Sequence, residues 1–271
     1  MRTLFKGGTV VSGQGTRPAD VLVEGVTISA VGTNLSASGA QIVDCAGKLL
    51  FPGFIDAHTH FDLAVAGTVT ADDFATGSRA ALRGGTTTVI DYAAPDKGET
   101  LAYGLAKWRE KAAGRCACDY GFHMTIDDWS EGISREMGEM VDQGIPTFKM
   151  YMTYPAMMLP EGDLYRALKR LRELGCLTGV HCENSAVIDA LIAEAKAAGR
   201  MGPASHPRTR PAPLEAEAVS RLLRIAQVAD VPVIIVHLST REGLEEVRAA
   251  RRRGQTVYVE TCPQYLLLDE S

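Results

Sequence analysis

Two histidines one residue apart close the segment FPGFIDAHTHFDL, residues 51–63. On an extended strand, residues i and i+2 point to the same face, so His58 and His60 can reach one cation together, each through one ring nitrogen. Taken alone, an HxH pair is more often two ordinary polar residues, and further ligands are needed to give it chemistry. Two more imidazoles stand at the ends of apolar runs: His181 in LTGVHCEN and His237 in VPVIIVHLS. Singly, each reads as a hydrogen-bonded core histidine. Four histidines sharing the C-terminal ends of strands are hard to explain that way. Lys149, in IPTFKMYMT, occupies the middle of an apolar strand, where an unpartnered ammonium is costly. It can snorkel or pair with a carboxylate. Alternatively, a neutral amine with a lowered pKa can add CO2 and become a carbamate, an anion able to bridge two metals. The other two histidines differ. His123 lies mid-strand in DYGFHMTI, a structural position, and His206 lies in the Pro-rich loop ASHPRTRPAP, with no ligand geometry implied.

The elements that must position these groups follow from the pattern of the chain. Residues 1–50 hold short alternating runs separated by Gly, Ser and Asn, the texture of β-hairpins. From residue 51 onward, apolar β-branched runs alternate with helical patterns, which signals βα units and a parallel sheet. Seven strands are predicted, at 51–60, 86–92, 119–126, 147–153, 177–183, 231–238 and 256–262. In the last linker Ser239 is placed to cap a helix, Glu242 to complete a capping box, and Gly254 to follow the basic last turn. No Gly-rich phosphate fingerprint follows the first strand, so a (β/α)8 barrel fits better than a doubly wound sheet. Barrel enzymes place their chemistry at the C-terminal strand ends, where the histidines fall. Seven strands leave such a barrel one short, with open edges, so we expect these residues to belong to a longer protein.

Composition narrows the function classes. The chain of 271 residues is 46% hydrophobic and 23% charged, a globular balance with material for a sizeable core. A net charge of -5 gives no electrostatic reason to bind nucleic acid or an anionic membrane, and the basic run Arg251–Arg253 fits a solvated helix end. No apolar stretch approaches the ~20 residues that cross a bilayer, and Met1 leads into a β-like segment instead of a signal peptide, so a cytoplasmic protein is expected. The six cysteines (45, 116, 118, 176, 182, 262) lack CxxC spacing and read as reduced thiols.

In order along the chain, FPGFIDAHTHFDL, ADDFATGSRAALRGGTTTVIDY, FKMYMTYPAMM, VHCENS, RPAPLEAEAVSRLL, IIVHLST and ETCPQYLLLD resemble the hydantoinase and dihydropyrimidinase branch of the cyclic amidohydrolases. The resemblance implies a TIM-like (β/α)8 metal-dependent hydrolase barrel, strands 1 to 7 of which lie in residues 51–271. Residues 1–50 would form part of a small N-terminal β-sandwich domain. It further implies two divalent ions, zinc or manganese: His58 and His60 would bind the more buried one, His181 and His237 the more exposed one, and carboxylated Lys149 would bridge both. Tyr154, five residues past the lysine, matches the tyrosine that hydrogen-bonds the developing oxyanion; from the residues alone it reads as an aromatic cleft wall. The pattern's last ligand, an aspartate at the end of the eighth strand that also shuttles the proton, has no counterpart here.

The implied reaction opens cyclic ureides, hydantoins or dihydropyrimidines, to N-carbamoyl amino acids, in a homotetramer. Dihydroorotases are similar but carry an arginine two residues past the second histidine, where this chain has Asp62. Allantoinase remains an alternative. So does a non-catalytic scaffold like the collapsin response mediators, although those have lost metal ligands. Substrate choice is expected to rest on loops 61–71 and 154–161, the second offering Met157, Met158 and Leu159 as a soft apolar surface for a ring substituent.

Overall fold

The computed structural model describes residues 1–65 and 67–269. Ala66, inside the first expected substrate loop, and residues 270 and 271, at the end of the expected barrel segment, lie outside the described residues. The N-terminal part is a five-stranded sheet: β1 (Arg2–Ser12), β2 (Gly15–Glu24), β3 (Thr27–Gly32), β4 (Gln41–Asp44) and β5 (Leu49–Leu50). Strands β1, β2 and β3 form the antiparallel hairpins expected, whereas β4 and β5 both pair with β1 in parallel. Hairpin texture therefore describes only the first three strands.

From β6 (Phe54–Thr59) the chain passes through the small hairpin β7 (Ala64–Val65) and β8 (Thr68–Val69), then alternates helix and strand. The succession is α1 (Phe74–Arg83), β9 (Thr86–Ala93), α2 (Leu101–Ala112), β10 (Asp119–Thr125), α3 (Glu131–Asp142) and β11 (Thr147–Tyr151). It continues with α4 (Glu161–Leu174), β12 (Leu177–His181), α5 (Ser185–Ala197), α6 (Ser205–Arg208), α7 (Ala212–Ala229), β13 (Val233–Ile235), α8 (Arg241–Arg252), β14 (Val257–Val259) and α9 (Gln264–Leu267). Short polar side chains start many of these helices: Asp73, Thr100, Ser130, Asn184 and Thr240 each accept a backbone N–H of the first turn. Thr240, not Ser239, caps α8: its Oγ1 accepts the Gly243 N–H, and both hydroxyls donate to Glu215 on α7. His206, expected in an irregular loop, lies in α6.

All seven predicted barrel strands are present, and they pair in parallel in the order β14-β13-β12-β11-β10-β9-β6. Each new strand adds to the same edge, with no reversal of order, which is the winding of a barrel and not of a doubly wound sheet. Laid flat, six spacings of ~4.8 Å would separate β6 from β14 by about 29 Å. Instead His58 Nδ1 on β6 lies 2.5 Å from Glu260 Oε1, one residue past β14, so the sheet is strongly curled. Helices cover its outside, and Leu105, Trp108, Met137, Met140, Leu164, Leu168, Leu171, Leu222 and Val247 pack against Phe148, Val180, Val233 and Ile235 of the strands. Burying a dozen such side chains at about 1.5–3 kcal/mol each dwarfs any single polar contact and fixes where the strand ends fall.

Candidate metal centre

Lys149 sits in the middle of the concave side, 1% exposed on β11. Among the described residues its Nζ meets His58 Nε2 at 2.8 Å and lies over the Tyr92 and Tyr151 rings, 4.5 and 5.0 Å from their centres. Burial penalises the ammonium and lowers this amine from its ordinary 10.5 to about 7, against the partial support of Glu260. His58 Nε2 also faces His60 Nε2 at 3.2 Å. Burial, reinforced by the charge on Lys149, pushes the His60 ring down to about 2, so it is neutral at physiological pH, and its buried Nδ1 has no hydrogen-bond partner among the described residues.

On the other side, the His181 and His237 rings stand 4.5 Å apart, and His237 is 5.4 Å from His58. Burial, then the neighbouring His181 and Lys149, lowers His237 to about 2. Burial also lowers His181, opposed by Glu183, whose Oε2 lies 2.7 Å from His181 Nε2. Tyr154 places its ring 5.2 Å from His181, and burial followed by the Glu183 charge raises its phenol, which therefore keeps its proton at neutral pH. All six residues singled out in the sequence thus converge on one end of the curled sheet. His123 stays outside the group, held by Thr147 Oγ1 at 2.5 Å and the Ala57 carbonyl at 3.0 Å.

Three carboxylates that the sequence did not single out hold these residues in place. Asp91, fully buried on β9, accepts Thr59 Oγ1, the Phe61 N–H and the Trp108 Nε1–H, each at 2.8 Å. Thr59 and Phe61 flank His60, so α2, which carries Trp108, fixes the HxH turn through one carboxylate. Three residues further along α2, Lys111 donates to the Asp62 carbonyl at 2.6 Å. A methyl group at Gly77 of α1 would run into the Phe61 ring, so that position needs glycine to let the turn approach. On α7, Glu215 accepts the backbone N–H groups of Ser239 and Thr240 at 3.0 and 2.8 Å and both hydroxyls, anchoring the loop after His237. Glu260 is the third, bound to His58 and to the His237 N–H at 3.2 Å.

A cavity of about 450 Å³ opens beside His181 and His237. Tyr154, Glu183, His206, Arg210, Leu214 and Tyr265 help to line it. The expected apolar wall lies elsewhere: Met158 and Leu159 face a separate cavity of about 140 Å³ with Met152 and Leu164, and Met157 lines neither. Leu159 is buried against the core, so hydrophobic packing claims the side chain that the sequence offered to a substrate.

Among the described residues, no three His, Cys, Asp or Glu side chains by themselves form a ligand group for a metal ion. The central member of the cluster is the Lys149 amine, which is no ligand while protonated. The donor chemistry fits divalent ions. Two imidazole nitrogens bound to one tetrahedral zinc at ~2.05 Å lie about 3.3 Å apart, close to the 3.2 Å between His58 and His60. His60 and His237 are neutral, as ligands must be.

The profile of the Amidohydrolase family matches residues 49–271. D-hydantoinase of Geobacillus stearothermophilus is 41% identical over 273 residues, covering 100% of this chain and 58% of the relative. D-phenylhydantoinase of Escherichia coli is 44% identical, covering 100% and 59%. The crystal structure of dihydropyrimidinase from Brevibacillus agri superimposes with a TM-score of 0.96 at 41% identity, over 99% of this chain and 59% of that one. L-Hydantoinase from Arthrobacter aurescens gives 0.83 at 28% identity, over 98% and 59%. The chain spans 58% of the length of the first of these curated relatives.

Proposed function

The chain belongs to the amidohydrolase family, and on that premise we propose that it carries the metal-binding face of a cyclic amidohydrolase that opens hydantoins or dihydropyrimidines to N-carbamoyl amino acids. The observation that carries this reading is the convergence of four imidazoles, from three strand ends, on one buried amine. Two relatives named for D-hydantoinase and D-phenylhydantoinase activity support the substrate class.

His58 and His60 would hold one divalent ion, zinc or manganese, and His181 and His237 the other. Lys149 would bridge them once its neutral amine has added CO2: an N–C bond forms, a proton leaves the nitrogen for solvent, and the product is an anion. Bound there, such ions lower the pKa of water and polarise an amide carbonyl. Tyr154, protonated at the rim of the cavity, donates a hydrogen bond to the oxygen of the carbonyl under attack, where negative charge develops. The cavity beside His181 and His237 receives the ring, and its volume suits a small cyclic ureide with a substituent. We also assign residues 1–50 to a small β-sandwich domain and 51–271 to the barrel, and take the working form to be a cytoplasmic homotetramer. The free cysteines support a reducing compartment, and among the described residues no helix is long and apolar enough to cross a membrane.

Elemental analysis of the longer protein to which these residues are expected to belong, together with a ring-opening assay on 5-phenylhydantoin and dihydrouracil, tests the reading. About two metal ions per chain, with N-carbamoyl product formed, lost on chelation and restored by zinc or manganese, is the expected result. A protein that binds no metal supports the scaffold alternative and ends the hydrolase reading.

A further inference from the structure

We propose that Glu260 is a positioning residue that ties His58 to His237 and thereby sets the affinity of the metal centre, an inference that rests on the metal-binding reading above. Its backbone is stitched into the β13 side of the sheet: Glu260 N–H donates to the Ile235 carbonyl at 2.9 Å, and the Leu238 N–H donates to the Glu260 carbonyl at 2.8 Å. Its side chain then crosses the gap to β6. The single oxygen Oε1 accepts from His58 Nδ1 at 2.5 Å and from the His237 N–H at 3.2 Å. One atom therefore joins two residues assigned to different ions, one on β6 at an end of the sheet order and one just after β13, next to the other end.

The chemical consequence is a fixed tautomer. With its proton on Nδ1 and donated to Glu260, the His58 ring keeps the Nε2 lone pair for the centre, where Nε2 already faces Lys149 Nζ and His60 Nε2. His181 is held the other way round: Glu183 engages its Nε2 at 2.7 Å, which leaves Nδ1 for an ion. The second contact of Glu260 bears on His237, whose φ of +36° is a conformation that a bulky side chain keeps only under restraint.

Titration of the metal-free protein with zinc against a chromophoric chelator, for the parent, Glu260→Gln and Glu260→Ala, tests this. Glu260→Ala weakens binding by about 10–100-fold at unchanged stoichiometry. Glu260→Gln keeps an acceptor oxygen and loses less. Nitrogen-15 spectra of the histidine rings read the cause directly: His58 carries its proton on Nδ1 in the parent and becomes a tautomer mixture in Glu260→Ala, a change that a general loss of stability does not produce. Parent and variants binding zinc within about twofold of each other overturns the proposal. So does loss of one zinc equivalent, which would make Glu260 a ligand. A parent that takes up no zinc overturns the metal-centre reading itself, and this inference with it.

Discussion

A buried lysine kept for chemistry should cost the fold stability, and the cost can be worked out. Burial lowers the Lys149 amine from 10.5 to about 7, and at ~1.4 kcal/mol per pH unit that gap is worth about 5 kcal/mol. The sign follows from linkage. Below pH 7 the amine is charged in both the folded and the unfolded chain, and the fold bears the whole cost. Between 7 and 10.5 the unfolded chain holds a proton that the folded one has released, so stability contributed by this residue rises with pH. Above 10.5 both forms are neutral and the cost is gone.

Lys149→Met keeps the length and apolar stem of the side chain and removes the charge. If repacking preserves half of the relief, the variant melts about 5–10 °C above the parent at pH 6, at 2–4 °C per kcal/mol for a chain of this size. The advantage shrinks steadily toward pH 10. Thermal unfolding by circular dichroism, on metal-free protein in bicarbonate-depleted buffer at pH 6, 8 and 9.5, measures it. The same variant loses zinc binding at the centre. A Met variant that melts at or below the parent at pH 6 would refute the reasoning, because it would mean that the Tyr92 and Tyr151 faces and Glu260 fully compensate the ammonium, leaving no reason for a neutral amine.

Two further outcomes are expected. Asp91→Asn offers one acceptor oxygen where the carboxylate serves three donors, so its NH2 must face a buried N–H or O–H; denaturant unfolding shows a loss of about 2–3 kcal/mol and the Trp108 indole N–H resonance shifts, whereas an unperturbed Trp108 signal at full stability would remove Asp91 from its role at the HxH turn. Tyr154→Phe keeps the cavity wall and removes only the hydroxyl; kcat for ring opening falls about 10²–10³-fold with KM little changed, and a loss confined to KM would place Tyr154 in substrate binding alone.

Residues that reveal themselves through local pattern were legible in the sequence. The barrel strands read as apolar β-branched runs, and the histidines stood out because each closes such a run. What lay hidden depends on closure in three dimensions. Glu260 and Glu183 occupy unremarkable places, one residue after a strand and two after a histidine; the contact of Glu260 with His58 exists only because the sheet curls until β14 reaches β6, whereas Glu183 meets its own neighbour His181. The cap of α8 falls on Thr240 and not on Ser239, and the Thr240 hydroxyl that accepts the Gly243 N–H also donates to Glu215 of α7, a partner that local pattern does not reveal. The methionine-rich loop misled in the opposite sense: soft apolar residues after a strand suit a substrate wall and a core equally well, and here Leu159 joins the core. The pairing of β4 and β5 with β1 in parallel carries no local signature, because strand direction in a sheet is decided by the connection and not by the run.

The distribution of unfavourable features is itself evidence for where the function lies. Among the described residues, five non-glycine residues have positive φ: Asn34, Asp62, Tyr154, Asp230 and His237. Asn34 and Asp230 are remote and of types that tolerate the left-handed region. The other three flank or form the centre, and Tyr154 and His237 are bulky residues for which that region costs about 1–3 kcal/mol each. The orphan Nδ1 of His60 and the desolvated amine of Lys149 lie within the same few ångströms. A sequence selected for stability alone would discard each of these, since an apolar strand residue at 149 and an extended residue at 237 are one substitution away. Asp91, Glu215 and Glu260 hold the segments around His60 and His237 through Thr59, Phe61, Ser239, Thr240 and His58, which is the arrangement expected when a chain holds groups in the geometry that a ligand, rather than the fold, requires.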